Sequence, residues 1–557
     1  MAMSIPVRAL PGVIAAALVL LPGAVQAAPV CTGNCDATGT QLLVATTTAG
    51  SGSFAAADDM LTFADGAFVG AVSGVTGTVT LSGAATSLQA GGGGGNLVEV
   101  GSRGGVGKFT LDAQARMVVN GFDAGASGAF RDPRLFVGSS GTGRFEVLGG
   151  AQLEVADPAG TGIDDGILIG HARLDSALPA AGELIVQGSG SRVDVSGNGA
   201  IILLGVTDND FSGASAAQGL LEVSDGGRVA IDGTSRFGII TVGRGDHGVG
   251  ELLVTGAGSR IDIRGDESAV LSVSDDFLGT VGNGGIGQVH VTDGGVISVS
   301  SASGSAFTFV GLGLGSASVL VDDGGLLDVD GAVGVSVNNS GTGNASQRGL
   351  LVVNDSGRVE TPLVVVGNGT SAGVNGILAG TGSVVGDVRV QTGGVLAPGQ
   401  SPGRFRVAGG VTLAGGTLEI EIAGLGPGEF DVLDVNGAVD LDGALVRFVF
   451  LDGFLPRAGD ELDFVLASSL SGLADARFDY AGAAAGFTFD VMQRGGVLGF
   501  AALSDARAVP GSVPATLFAL GMVAVFELRR RNAGTNAAQP LWRSPASITA
   551  RQVLLPG

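Results

Sequence analysis

Three histidines, four aspartate pairs and the Gly-x-Ser-x-Gly stretch at 399–403 are the parts of this sequence with the most evident chemical capacity. An imidazole acts as general base or metal ligand when another donor or a carboxylate orients it. His171 and His247 fall in glycine-rich turns, and His290 stands between Val289 and Val291 at an outward strand position. All three read as surface side chains. Aspartates pair at Asp58-Asp59, Asp164-Asp165, Asp275-Asp276 and Asp322-Asp323. Glycan cleavage needs two carboxyls placed across the scissile bond, whereas these pairs belong mostly to turns, where Asp caps its own backbone. Calcium sites built from repeated Gly-Gly-x-Gly-x-Asp are also unsupported, because that pattern does not recur. Lys108 is the single lysine, which argues against a lysine base. Gly399-Gln-Ser401-Pro-Gly403 has the letters of a nucleophile elbow without its strand-turn-helix setting. Gly91 to Gly95 leads into neither Gly-Lys-Ser/Thr nor a helix, so it reads as a turn rather than a phosphate loop. The expectation is a chain with no catalytic residue, no metal site and no cofactor.

Composition narrows the elements that could position such residues. The chain has 557 residues, of which 102 are Gly, and 45% are hydrophobic. Glycine without a Gly-X-Y period excludes collagen, and the apolar fraction excludes a disordered chain. A net charge of −23 repels a phosphate backbone, so nucleic acid is not an expected partner. Trp542 and Tyr480 are the only residues of their types, which leaves few aromatic platforms for sugars. The 25 Phe are expected in the core.

A repeat supplies the fold. Gly182-Glu-Leu-Ile-Val186-Gln-Gly-Ser-Gly-Ser-Arg-Val193-Asp-Val195 returns as Gly250-Glu-Leu-Leu-Val254-Thr-Gly-Ala-Gly-Ser-Arg-Ile261-Asp-Ile263. A form one turn residue shorter runs Leu221-Glu-Val223-Ser-Asp-Gly-Gly-Arg-Val229-Ala-Ile231. Copies are anchored at Leu81, Leu111, Val147, Val186, Val223, Val254, Val291, Val321 and Val353. Apolar and polar residues alternate with period two, which marks strands with one buried face. Glycine pairs between them supply the positive φ of sharp corners. A further short strand ends in Gly170, Gly243 or Gly367. No helical stretch intervenes, so βαβ units are excluded. Self-similarity of this kind predicts a solenoid, here a right-handed parallel β-helix. Each repeat has enough strands for roughly one and a half to two coils, giving roughly twenty coils at about 4.8 Å each. Tandem antiparallel sandwiches are the alternative.

Both ends carry export features. Residues 1–27 have Arg8, a short apolar run and Val25-Gln26-Ala27 before Ala28, the layout of a cleaved signal peptide. Cys31 and Cys35 follow at once and could close a small disulfide loop in an oxidising compartment. A second apolar run, Val513 to Leu528, ends in Arg529-Arg530-Arg531, and basic residues there favour cytoplasmic retention of that end. It is expected as a short hydrophobic helix.

The sequence Pro514-Ala515-Thr516-Leu517, the apolar run and the three arginines resemble the PEP-CTERM sorting signal, with Ser512-Val513-Pro514 where that family has Pro-Glu-Pro. The resemblance implies recognition by an exosortase, transient inner-membrane anchoring and association with exopolysaccharide. Gly376-Ile-Leu-Ala-Gly380 and Gly393-Gly-Val-Leu-Ala-Pro398-Gly-Gln-Ser-Pro402-Gly403, with Leu418-Glu-Ile-Glu-Ile422 beyond them, resemble the distal passenger of autotransporters. That implies a β-helix displayed at the cell surface. Fewer than 60 residues follow Leu503, too few for a many-stranded translocating barrel.

The expected organisation is a signal peptide (1–27), an N-terminal cap region (28–74), β-helix repeats (75–405), a distal β-rich segment (406–503), a sorting or anchor segment (504–531) and a disordered tail (532–557). The expected role is a non-catalytic structural protein of the outer surface or extracellular matrix, in a biofilm setting. A passenger-like adhesin and a carbohydrate-active β-helix enzyme are the alternatives. Expected partners are the export and sorting machinery, extracellular polysaccharide or cell-surface ligands, and a membrane through the C-terminal segment.

Overall fold

The computed structural model describes residues 29–508, apart from 49, 92–96, 121–133, 157–164, 174–175, 208–214, 246, 276–284, 313–314, 333, 338–348 and 371–372. The signal peptide, the C-terminal apolar run, its arginines and the tail lie outside the described residues. Within them the chain is all-β, with one short 3-10 turn at Leu473–Asp475 and no α-helix. No helix there is long and apolar enough to cross a membrane. The chain divides into two compact units, one of Met1–His290 with Gly294–Ala306, the other of Val291–Asp293 with Phe307–Gly557.

In the first unit each coil has three arms. Strand Leu97–Ser102 leads into Val106–Asp112 and then Arg116–Asn120, after which Arg134–Ser139, Thr142–Val147 and Gln152–Ala156 repeat the circuit one rung on. Every arm pairs in parallel with its counterpart in the next coil. Long parallel sheets stacked this way have the arrangement of a β-solenoid. The repeat anchors lie directly over one another: Leu81, Leu111, Val147, Val186, Val223 and Val254 are successive rungs of one column. Beside it runs Val79, Phe109, Phe145, Leu184, Leu221 and Leu252. All are fully buried, so each coil seals the apolar face of its neighbour. One repeat therefore makes one coil, not one and a half to two. Three arms and their corners consume the whole repeat, so the expected number of coils per repeat is too high.

The corner before the anchor strand depends on glycine. Gly101, Gly138, Gly170, Gly205 and Gly243 occupy the same place in successive coils with φ of 71°, 76°, 67°, 61° and 77°. A Cβ at Gly138 would sit 2.0 Å from the Ala181 carbonyl oxygen, and one at Gly143 would sit 2.2 Å from the Gly138 nitrogen. The backbones meet at this corner with no room for a side chain, which explains the glycine near the end of one strand and the glycine near the start of the next.

At its start the unit is closed by antiparallel pairs. Val30–Gly33 pairs with Gly52–Ala57, and Cys35–Asp36 pairs with Leu42–Val44. Parallel stacking already begins at Leu42–Val44 against Ala67–Val69.

The second unit repeats the scheme. Its buried column runs Val319, Leu351, Leu378, Leu396, Leu418 and Val446. The shortest coil spans only Leu378 to Leu396. Parallel pairing continues to Leu445–Phe450 against Arg477–Ala481. An antiparallel hairpin, Phe489–Arg494 with Val497–Ala502, then pairs with Glu461–Leu466 and ends the sheet. Its apolar side brings Phe500 to 4.9 Å from Phe448, with Phe464 at 5.1 Å. Aromatic packing and antiparallel closure leave less unpaired edge for another chain to join.

Candidate functional site

The sequence-flagged residues are dispersed. His171 is not a surface turn residue: the strand Asp165–Ala172 runs on through Gly170, and the imidazole is 7% exposed with its ring 5.5 Å from that of Phe136. His247 is exposed in a turn with φ 65°, and His290 lies within the strand Ile286–Thr292. Asp58 and Asp323 have the positive φ of turn residues. Asp164 and Asp276 lie outside the described residues, as do Gly92 to Gly95. Cys31 and Cys35 are joined in a disulfide with their Cα atoms 5.6 Å apart. Pro514, Ala515, Thr516, Leu517, Arg529, Arg530 and Arg531 lie outside the described residues.

Stacking does bring charged side chains together along the outside of the first unit. Lys108, Arg144 and Glu183 share one register position, and Glu146 belongs to the next column out. Glu146 accepts from Lys108 Nζ at 3.0 Å and from Arg144 Nε at 2.6 Å, and Arg144 also reaches Glu183. Burial opposes ionisation of Glu146, but the hydrogen bonds and charges of Arg144 and Lys108 outweigh it and hold the carboxyl below the usual range. Glu222, further along that outer column, has no such cation on its own strand, Ala217–Ser224. Burial pushes its carboxyl up, against a hydrogen bond from Ser224.

A second outer column begins each strand after the anchor corner. Arg116, Gln152, Arg192, Arg228 and Arg260 are in direct register. Next to them run Glu154, Asp194, Ala230 and Asp262. Arg192 Nε binds Asp194 at 2.6 Å and Arg260 Nε binds Asp262 at 2.5 Å. Burial raises the Asp194 carboxyl despite its arginine. The column was legible in principle, since Arg holds the same place in the copies anchored at Leu111, Val186, Val223 and Val254. It stands out only when one repeat is equated with one coil.

The second unit gathers carboxyls around the Gly-x-Ser-x-Gly segment. Ser401 has φ 65° and precedes a cis Ser401-Pro402 bond. Asp431 is 1% exposed. Its Oδ1 accepts from the Gly403 N–H at 2.8 Å, and its Oδ2 accepts from the Glu421 N–H at 2.7 Å. Desolvation nevertheless pushes its carboxyl up to about 8, helped by the charges of Glu421 and Glu419. Burial also raises Glu419 and Glu421, the latter offset in part by the Ser401 hydroxyl. A Cβ at Gly399 would meet Asp431 Oδ1 at 2.2 Å, so the glycine leaves room for the carboxyl. Period two in Leu418-Glu-Ile-Glu-Ile422 predicts that Glu419 and Glu421 share a face. Nothing local marks Asp431.

Asp431 is sealed and ties the loop at Gly403 to the strand Thr417–Ile422. All three histidines of the chain lie in the first unit, so Ser401 has no imidazole base in its own unit. Ser401 stands between strands Gly394–Pro398 and Arg404–Val407 rather than at a strand-to-helix turn. No group of three or more His, Cys, Asp or Glu able to hold a metal ion occurs among the described residues. The chain matches no family model, and no curated protein is significantly similar to it.

Proposed function

We propose that the chain is an exported, non-catalytic structural protein of the outer surface or extracellular matrix, associated with exopolysaccharide. Its body is a right-handed parallel β-helix, the hand expected of parallel strands joined by crossovers. Residues 1–27 direct export, and residues 504–531 anchor or sort the chain in the manner of a PEP-CTERM signal.

The observation that carries this reading is the in-register column of repeat anchors, Leu81 through Val254, fully buried at every rung. The interior is filled by these buried columns, and the outer faces offer repeating polar rungs suited to lateral contact with an extended polymer. The Cys31–Cys35 disulfide supports an oxidising destination.

Fractionation of producing cells with mass spectrometry of both ends tests the reading. The expected product begins at Ala28 and is found in the envelope or the medium, and deletion of residues 510–531 abolishes its retention at the surface. A soluble cytoplasmic protein that still begins with the residues of the 1–27 segment would overturn it.

A further inference from the structure

We propose that the corner at Asp225-Gly226-Gly227 is a binding recess for an acidic saccharide, with Arg228 as its anion-binding side chain. This rests on the exopolysaccharide reading above and adds the site and the chemistry of the sugar.

The recess follows from corner length. Val186, Val223 and Val254 are stacked, and so are Arg192, Arg228 and Arg260. Between those fixed points the outer two coils run through Gln-Gly-Ser-Gly-Ser and Thr-Gly-Ala-Gly-Ser, but the middle coil has only Ser-Asp-Gly-Gly. With both ends pinned by the ladders, the shorter corner is set back between its neighbours. An open groove lies there, walled by Ser189, Gly190, Ala257 and Gly258 and bordered by Asp225 and Arg228.

Charge distinguishes this rung from the others. Arg192 and Arg260 each bind the Asp two residues on. In the middle coil that position is Ala230, and exposed Arg228 makes no ion pair among the described residues. A guanidinium without a counter-charge, on a chain of net charge −23, is a local exception to a surface that otherwise repels anions. Its planar fork of donors matches a carboxylate or sulfate.

Asp225 makes the site selective for a sugar rather than a bare anion. It is exposed, has φ 54° and accepts a hydrogen bond from Gln187 Nε2 at 2.7 Å. A carboxylate at the mouth repels a simple anion but accepts from hydroxyl groups, which an acidic saccharide presents beside its charge. Arg192 and Arg260 stand one rung to either side, at about 4.8 Å per rung, where a polymer lying along the column would reach them. Few aromatics are available in this chain, so recognition relies on charge and hydrogen bonds instead of ring stacking.

Calorimetric titration of the full-length mature protein at low salt tests the site, with oligogalacturonate, a neutral maltooligosaccharide and sodium sulfate as probes. Oligogalacturonate is expected to bind and the neutral sugar is not. Arg228→Ala, and separately one Gly inserted after Gly226 to lengthen the corner, should each weaken binding at least about tenfold. Arg228→Lys should lose less, and Arg404→Ala, which removes an arginine paired with Asp434 at 2.9 Å in the other unit, should bind as the parent does. Unchanged binding in Arg228→Ala would overturn the site and leave the exopolysaccharide reading standing. Sulfate competing as well as oligogalacturonate would overturn the saccharide assignment. No binding of oligogalacturonate by the parent would overturn the site as well, while the fractionation above decides the surface reading independently.

Discussion

Raising the pH from about 5 to about 9 should weaken the second unit, with Asp431 as the chief cause. The folded carboxyl is pushed up to about 8, whereas an aspartate in an unfolded chain titrates at about 3.9. Between those values the folded state keeps a proton that the unfolded chain releases. The stabilising contribution is therefore complete below about 4, falls as pH rises through the window, and is gone above about 8. The ceiling is about 1.4 kcal/mol per pH unit. The value of about 8 already includes the opposing pull of the Gly403 and Glu421 N–H groups, so the loss between about pH 5 and about pH 8 is on the order of 4 kcal/mol at most. Asp431→Asn removes the titration. It also sets an amide N–H against a backbone donor, so absolute stability drops at every pH while the slope flattens. Glu419 and Glu421, also raised by burial, leave a residual slope of the same sign. Urea unfolding at several pH values, read through Tyr480, the single tyrosine of the chain, measures the slope. Equal slopes in the two proteins, or stability that rises with pH in the parent, would refute the reasoning.

Two further outcomes follow from packing in the first unit. Gly138→Ala forces a Cβ onto a carbonyl oxygen at 2.0 Å in a backbone of φ 76°. It should cost more than about 3 kcal/mol in chemical unfolding, whereas Gly226→Ala, with its nearest contact at 3.5 Å, should cost about 1 kcal/mol from its positive φ alone. Phe145→Ala removes a fully buried ring stacked 4.8 Å from Phe109. A loss of about 3–5 kcal/mol is expected, with Phe145→Leu losing clearly less.

Much of the architecture can be read from residue order, because alternation and glycine corners are local signals. Val193-Asp-Val195 and Val229-Ala-Ile231 declare their inward faces, and the returning Arg declares a column. The number of coils per repeat is not local. It depends on where a corner stops turning, and Gly170 shows why: the glycine looks like the end of an arm, but the strand carries on to His171 and Ala172 and buries the imidazole. Asp431 escaped notice for a related reason. Its partners, Gly403 and the Glu421 backbone, come from separate segments that only the stacked coils bring together. Glu419 and Glu421 were visible as an alternating pair, but their raised carboxyls come from burial that no spacing reveals. The short corner at Asp225 was legible as a missing residue, and its meaning appears only once its neighbours are known to be the longer corners of adjacent rungs.

Cysteine pairs placed on the outer face test the stacking most directly. Gln218 and Val249 are in register one repeat apart, within the Cα range of about 4.4–6.8 Å that a disulfide spans. Ser235 lies about half a repeat from Gln218, where a second coil within the repeat would place a neighbour. Under mild oxidation, Gln218→Cys with Val249→Cys should cross-link, as mapped by peptide mass spectrometry, and Gln218→Cys with Ser235→Cys should not. Bonding of the half-repeat pair, with the full-repeat pair left reduced, would contradict the one-coil-per-repeat stack.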